Sequence, residues 1–289
     1  MRRSGISVGL AAIFILIWPA AALAATLVPL ATAGNYAVLA GTTITNSGPG
    51  SWVTGQMGLS PGSSITGFPP STSGHQDVAN AAAVQAKSDL TTAFTQASGQ
   101  GPCTPAGVNL GGLTLSPGVY CNGTMGITGG QTLTLDGGGS SSGVWIFQMA
   151  STLITGSAAV VSLINGAQPC DIFWVVGSSA TIGSATTFVG NIMALTDIGM
   201  FSGATLNGRA MARNGQVTLI TNRIIQPSGC GYAAPAFVAG PAGTTLPATL
   251  GVPWELINEI PWLLVIAVGA GFGATVMVVS SRRRRRRTA

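Results

Sequence analysis

The sequence predicts an all-β chain with one long α-helix, wound as a β-solenoid, and three observations predict it. From residue 33 to residue 227, short apolar or β-branched runs are broken by Gly, Ser and Asn at intervals of about 10 to 15 residues, the rhythm of many short strands. One pattern recurs through that stretch as PGSWVTG, PGSSITGF, GGQTLTL, GSAAVVSL, SATTFVG, SGATLNGR and NGQVTLIT. A single segment, 74–98, replaces glycine by alanine.

The recurring pattern sets a turn before an alternation of hydroxylated and apolar residues. Alternate side chains of a strand face opposite ways, so Val53, Ile65, Leu133, Val161, Phe188, Leu206 and Val217 are expected to point inwards. The residues beside them then face solvent: Trp52 and Thr54, Ser64 and Thr66, Thr132 and Thr134, Val160 and Ser162, Thr187 and Val189, Thr205 and Asn207, Gln216 and Thr218. A repeat that buries its apolar side only against its neighbours stacks into a solenoid. Threonine is also simply a good strand residue, so the pattern alone does not separate packing from a functional face.

Segment 74–98 reads as the helix. Ser73 and Gln76 have capping-box spacing, and Ala79, Ala83, Ala86, Leu90, Ala93 and Ala97 fall on one stripe. Side chains so small let the helix lie close against a sheet, and Gly99, Gly101 and Pro102 end it.

Composition narrows the function. An apolar share of 46% excludes a wholly disordered chain, and 7% charged residues, against about 25% in ordinary soluble proteins, argues against a typical cytosolic enzyme. The net charge of +5 comes from the ends, since Arg2, Arg3 and residues 282–287 supply eight of twelve basic residues. Between residues 25 and 260 four basic side chains face seven acidic ones. No basic stripe exists there to neutralise phosphates, which excludes nucleic acid.

Met1-Arg2-Arg3, an apolar run and Ala22-Leu23-Ala24 read as a secretory signal over 1–24. The exported domain is then 25–232, followed by an Ala/Pro/Gly/Thr-rich spacer at 233–260. Residues 261–280 are apolar and long enough to span a bilayer as a helix, and the arginine-rich tail at 281–289 belongs in the cytoplasm. The expected location is the cell surface, anchored in the cytoplasmic membrane. Leu246-Pro247-Ala248-Thr249 resembles a sortase sorting signal, but Leu250 replaces the usual Gly; a retained anchor is the favoured reading.

Cys103, Cys121, Cys170 and Cys230 in an exported chain point to disulfides. Of the three pairings, Cys103–Cys121 with Cys170–Cys230 is expected, because each bridge would staple the edge of one block of strands. No C-x-x-C spacing occurs and His75 is the only histidine, so neither a zinc site nor a cofactor is expected.

The segments AGNYAVLAGTTITN, VTGQMGLSPGSSITGF, LGGLTLSPGVY, GVWIFQM, DIFWVVGSSATIGSATTFVGNIMA and GATLNGRAMARNGQVTL, in that order, resemble the DUF3494-type microbial ice-binding proteins over about 33–227. The resemblance implies a discontinuous right-handed β-solenoid of triangular section, a helix along one side, and one flat face that adsorbs to ice. The family's T-[AG]-x-[TN]-like turn and strand is matched by Ser202-Gly203-Ala204-Thr205, Ser184-Ala185-Thr186-Thr187 and, more loosely, Thr155-Gly156-Ser157-Ala158. The ice-contacting residues expected here are Thr54, Ser64, Thr66, Thr132, Thr134, Ser162, Thr187, Thr205, Asn207 and Thr218, on one face of a monomeric ectodomain.

Two rival readings come from other classes. A β-helical glycosidase would pair two of Asp136, Asp171 and Asp197 in a groove, though each reads better as a turn residue. Arg209 and Arg213 as an anion site, Asn191 and Asn207 as an asparagine ladder, and His75 as a surface or capping residue complete the candidates. An adhesin or glycan-binding module would use the same flat face, with Trp52 as its aromatic platform.

Overall fold

The computed structural model describes residues 25–48, 50–68 and 74–230, all within the first of two compact units, Met1–Pro235. The expected signal peptide, the spacer, the spanning helix and the arginine tail lie outside the described residues. Among the described residues no helix is long and apolar enough to cross a membrane.

The chain begins with β1 (Tyr36–Ala40), β2 (Thr43–Asn46), β3 (Trp52–Thr54), β4 (Gln56–Leu59), β5 (Ser64–Thr66) and β6 (Gln76–Val78), followed by α1 (Ala81–Ser98). After the helix come β7 (Thr104–Pro105), β8 (Thr114–Leu115), β9 (Gly118–Asn122), β10 (Met125–Ile127), β11 (Thr132–Asp136), β12 (Trp145–Met149), β13 (Leu153–Thr155) and β14 (Val160–Ile164). The last coils are β15 (Ile172–Val176), β16 (Ala180–Ile182), β17 (Thr187–Ala194), β18 (Ile198–Met200), β19 (Thr205–Ala212), β20 (Val217–Leu219) and β21 (Arg223–Ile225).

Every strand pairing is parallel, and together they build three faces. The first runs β6-β4-β1-β19-β17-β15-β12-β9-β7. The second runs β3-β21-β19-β17-β14-β11-β8, sharing β17 and β19 with the first. The third is a separate sheet, β10-β13-β16-β18-β20-β2-β5. Since β1 pairs with β19, β2 with β20 and β3 with β21, the first strands of the chain are stacked on its last. The solenoid is therefore discontinuous in sequence. Helix α1, about 27 Å long at the usual rise, returns the chain from β6 at one edge of the first face towards β7 at the other.

The helix begins seven residues later than the capping spacing at Ser73 predicts. Residues 76–78 instead pair with β4 as an edge strand, and Asn80 caps the helix by accepting the Ala83 N–H at 2.9 Å. Ala79 consequently precedes the helix, exposed and in the left-handed region. The rest of the expected stripe, Ala83, Ala86, Leu90, Ala93 and Ala97, is buried.

The middle of the first face, β1, β12, β15 and the far halves of β17 and β19, is buried on both sides, by the solenoid interior and by the helix. Its strands therefore read as continuous apolar runs, such as YAVLA in β1 and IFWVV in β15. Phe173, Val175, Ile146 and Met193 meet Ala86, Leu90, Ala93 and Ala97 of the helix. Polar ties complete the seam. Lys87 Nζ donates to the Ala212 carbonyl at 2.5 Å and to that of Arg213, Gln148 Nε2 donates to the carbonyls of Ala97 and Gln100 at 2.8 Å, and Tyr36 OH donates to Asp77 at 2.7 Å.

Inside the coils Tyr120, Phe147, Trp174 and Phe188 form an aromatic column with successive ring centroids 5.5, 4.1 and 4.8 Å apart. The disulfides are Cys103–Cys121 and Cys170–Cys230, the expected pairing.

Candidate functional site

The second face is laid out by its corner with the third. Six residues there adopt positive φ: Gly130 (71°), Ala158 (55°), Ala185 (56°), Gly203 (75°), Thr221 (51°) and Gly50 (81°). Each stands two residues before a second-face strand position, and those positions, Thr132, Val160, Thr187, Thr205, Arg223 and Trp52, are mutual register partners. Six consecutive coils thus turn through the left-handed region at one place. Glycine does so without steric cost and alanine at less cost than a β-branched side chain; Gly or Ala stands at five of the six positions, the second position of the tetrads at 184–187 and 202–205 among them, and Thr221 is the exception. The loosely matched Thr155-Gly156-Ser157-Ala158 is two residues early. Its structural equivalent is Ser157-Ala158-Ala159-Val160, while Thr155 is buried.

Behind that corner two columns of side chains face outwards. The first is Thr132, Val160, Thr187, Thr205, Arg223 and Trp52; the second is Thr114, Thr134, Ser162, Val189, Asn207, Ile225 and Thr54. Between them Leu133, Val161, Phe188, Leu206, Ile224 and Val53 are buried. Neighbouring strands of a sheet stand about 4.7–4.9 Å apart and alternate residues about 6.7 Å apart, so the columns form a regular grid. The level is broken at Val189, only 7% exposed, and the hydroxyl run stops where Arg223 and Trp52 enter. At the other side of the face Gly190 (φ 110°) and Gly208 bend β17 and β19 onto the first face. A Cβ on Gly208 would come within 1.9 Å of the Gly190 carbonyl oxygen.

The side chains of Thr114, Thr132, Thr134, Ser162, Thr187, Thr205 and Asn207 hydrogen-bond to no protein group among the described residues. Other hydroxyls of the chain are taken up internally. Thr155 Oγ1 accepts the Gly183 N–H at 2.9 Å, Thr186 Oγ1 donates to the Gly156 carbonyl at 3.0 Å, and Thr91, Thr92 and Thr95 donate to helix carbonyls. What the second face offers is hydrogen-bonding capacity on a fixed lattice, turned to solvent.

The expectation of one face for all ten predicted residues is corrected by the pairing. Thr54, Thr132, Thr134, Ser162, Thr187, Thr205 and Asn207 share the second face; Ser64, Thr66 and Thr218 stand on the third. A period-two pattern cannot tell one side of a three-sided coil from another, because every side alternates. Thr114 was missed for the brevity of β8, yet Leu113-Thr114-Leu115 carries the same alternation and Thr114 is in register with Thr134.

The other candidates are structural. Arg209, 2% exposed, donates from Nε to the Gly34 carbonyl at 2.9 Å and from Nη1 to Asn191 Oδ1 at 3.0 Å, in adjacent coils of the first face. Asn207 is in register with Val189, so Asn191 and Asn207 form no ladder. Arg213 lies 4.9 Å over the Phe94 ring. His75 Nε2 is 3.3 Å from Asp77. Burial works against the Asp77 charge, but hydrogen bonds from Asn80 and Tyr36, with His75 beside it, hold its carboxyl below the usual range. Asp136 accepts from the Gly138 N–H and from Asn165, which lowers its pKa, whereas burial raises that of Asp171. Asp197 accepts the Gln216 N–H at 2.8 Å. Among the described residues no three His, Cys, Asp or Glu side chains gather to hold a metal.

Comparison with known proteins decides the family. Residues 38–225 match the model of the ice-binding-like family. The chain belongs to that family. It is 43% identical over 205 residues to an ice-binding protein of Nostoc sp. (strain HG1), covering 70% of this chain and 75% of the relative. An ice-binding protein structure from an Antarctic biological consortium superposes with a TM-score of 0.67 at 39% identity, over 72% of this chain and 95% of that one. That of the ascomycete Antarctomyces psychrotrophicus gives 0.66 at 36% identity, over 70% and 99%. The matched region of the ice-binding-like family thus holds the helix, the three faces and the left-handed corner.

Proposed function

We propose that the chain adsorbs to ice through the second face, centred on Thr132, Thr134, Ser162, Thr187, Thr205 and Asn207, and that it has no catalytic role. One observation carries this: among the described residues, seven side chains on that face keep their polar groups free of any protein partner, on a regular grid of parallel strands. The names of its relatives support it. Hydroxyls at fixed spacing hold surface water by hydrogen bonds while the methyls between them exclude it, and a preorganised layer joins a crystal at little ordering cost. Charge would hold water in its own geometry, and the stretch from β11 to β19 has no charged side chain in its two outward columns up to Asn207.

Among the described residues the chain has a groove of a size to hold a small molecule to weigh against an enzymatic reading. It measures about 490 Å³, lies beside the helix and is lined by Phe94, Asn122, Gln148, Met149 and Val175, with no carboxylate, imidazole or amine for acid/base chemistry. Export and a retained C-terminal anchor, read from the two ends of the sequence, complete the proposal: an ice-adsorbing domain carried on the cell surface.

The test is incorporation of the fluorescently labelled protein into a growing ice hemisphere. Uptake is expected, and Thr187→Tyr with Thr205→Tyr is expected to lower thermal hysteresis while leaving the thermal unfolding midpoint nearly unchanged. Exclusion of the unmodified protein from ice overturns the reading. A glycan-binding surface module is the second reading, favoured by Trp52, 51% exposed and in register with Arg223 as a stacking surface beside a cation. Sugar binding lost in Trp52→Ala, together with exclusion from ice, would establish it instead.

A further inference from the structure

The third face repeats the arrangement of the second at the opposite end of the solenoid. Thr66, Thr45, Thr218, Gly199 and Thr181 are successive register partners on β5, β2, β20, β18 and β16. Their inward neighbours Ile44, Val217, Leu219, Ile198, Met200, Ala180 and Ile182 are buried, so the column faces solvent. Ser64, Thr43 and Gln216 form the column beside it. The hydroxyls of Thr45, Ser64, Thr66, Thr181 and Thr218 hydrogen-bond to no protein group among the described residues, and Thr43 donates to Gln216 at 3.3 Å. The first charge met along this face is Asp197, one coil beyond Gln216 in the flanking column.

The two hydroxyl patches are offset along the solenoid, overlapping at the coil of Thr181 and Thr187. On the second face the run ends at Asn207, and the next two coils bring Arg223 and Trp52; on the third face those same coils, with β5 beyond them, carry Thr218, Thr45, Thr43, Thr66 and Ser64. The faces meet at the left-handed corner, so the third is continuous with the proposed ice surface but turned away from it. We propose that the third face, centred on Thr45, Thr66 and Thr218, is a second ice-adsorbing surface that engages crystal planes the second face does not. This rests on the ice-binding reading. Two faces set at an angle cannot lie flat on one plane together, so a second surface widens the set of crystal orientations the protein can occupy.

Gly199 supplies a test that adds rather than removes. A Cβ there would meet nothing within 4 Å, and its backbone is not in the left-handed region. Gly199→Thr therefore completes a column of five threonines without disturbing the packing. The experiment uses labelled protein on a single-crystal ice hemisphere, where bound planes fluoresce, with unfolding midpoints confirming that each variant is folded. Blocking the second face with Thr187→Tyr and Thr205→Tyr is expected to extinguish some planes and leave others. In that background Gly199→Thr should raise the remaining signal several-fold, and Thr45→Tyr with Thr218→Tyr should remove it. Loss of all ice signal on blocking the second face alone overturns the proposal while leaving the ice-binding reading intact. So does a remaining signal indifferent to Gly199→Thr and to the Thr45/Thr218 pair. Exclusion of the unmodified protein from ice overturns both.

Discussion

The first and second faces are made partly of the same strands, and yet one is sealed under a helix while the other, among the described residues, is bare. β17 and β19 cross from one to the other at Gly190 and Gly208. Before the bend their outward residues are Thr187, Val189, Thr205 and Asn207; beyond it residues 191–194 and 209–212 are all buried. Both faces present equally regular backbone, so regularity alone does not make a surface for water. The outward side chain decides: Phe173, Val175 and Met193 draw the alanine stripe of α1 onto one face, while the hydroxyls and amide between β11 and β19 on the other, interrupted only by Val160 and Val189, give a helix little to bury.

The largest test of that contrast lies under the helix. Phe173 is fully buried in the seam, and Phe173→Ala should cost about 3–5 kcal/mol of stability, read as a lowered denaturant midpoint. The corresponding change on the bare face, Thr187→Tyr, should alter stability by no more than about 0.5 kcal/mol. Equal losses at the two positions would mean that the faces differ less than their burial indicates.

Next in size is the corner. Ala185 stands at φ 56°, and a β-branched residue there adds to a strain already on the order of 1–3 kcal/mol. Ala185→Val should lower the urea midpoint and, by displacing the strand that carries Thr187, lower thermal hysteresis more than its stability loss alone would. A variant with normal hysteresis would separate the corner from the face it is said to align.

The helix latch gives a pH signature. Burial, with Arg213 nearby, lowers the Lys87 pKa from the ordinary 10.5 to about 8. Below pH 8 Lys87 is protonated in both the folded and the unfolded chain, and the cost of burying its charge is constant. Between pH 8 and 10.5 the unfolded chain binds more protons at this site, so stability rises with pH; Lys87→Met should flatten that rise in unfolding measured across the window. On the acid side Asp77, held below the usual carboxylate range, contributes stability that is lost as pH falls through its folded pKa. Asp77→Asn should remove that part of the acid dependence.

Much of this was legible in the sequence, for reasons tied to particular residues. Leu133, Val161, Phe188 and Leu206 are buried as alternation requires, and the alanine stripe from Ala83 to Ala97 faces the sheet. The segments that refused to alternate, such as IFWVV, were sandwiched between two layers. The helix start was not legible, because Asn80 caps where Ser73 had the spacing and the residues between them were needed to pair with β4. Nor was the distribution of hydroxyls over faces, because Ser64, Thr66 and Thr218 have the same local pattern as Thr205 and differ only in which strands lie beside them. Thr43 and Thr45 flank the buried Ile44 in plain alternation, a signal as clear as that at Thr205.

The smallest effect expected is on the bare face itself. Val160 lies between Thr132 and Thr187 in the outward column and is partly exposed, an apolar interruption of the hydroxyl run. Thr is close to Val in shape and keeps its strand preference, and a solvent-facing hydroxyl has water as a partner, so Val160→Thr should change stability by less than about 0.5 kcal/mol. If free hydroxyls on a fixed grid are what ice recognises, the variant carries four threonines in unbroken succession, at 132, 160, 187 and 205, and its thermal hysteresis should rise modestly at equal concentration. A fall would show that the methyl pair of valine, rather than the missing hydroxyl, is what the crystal meets at that position, and would move the weight of the second face from hydrogen bonding to shape.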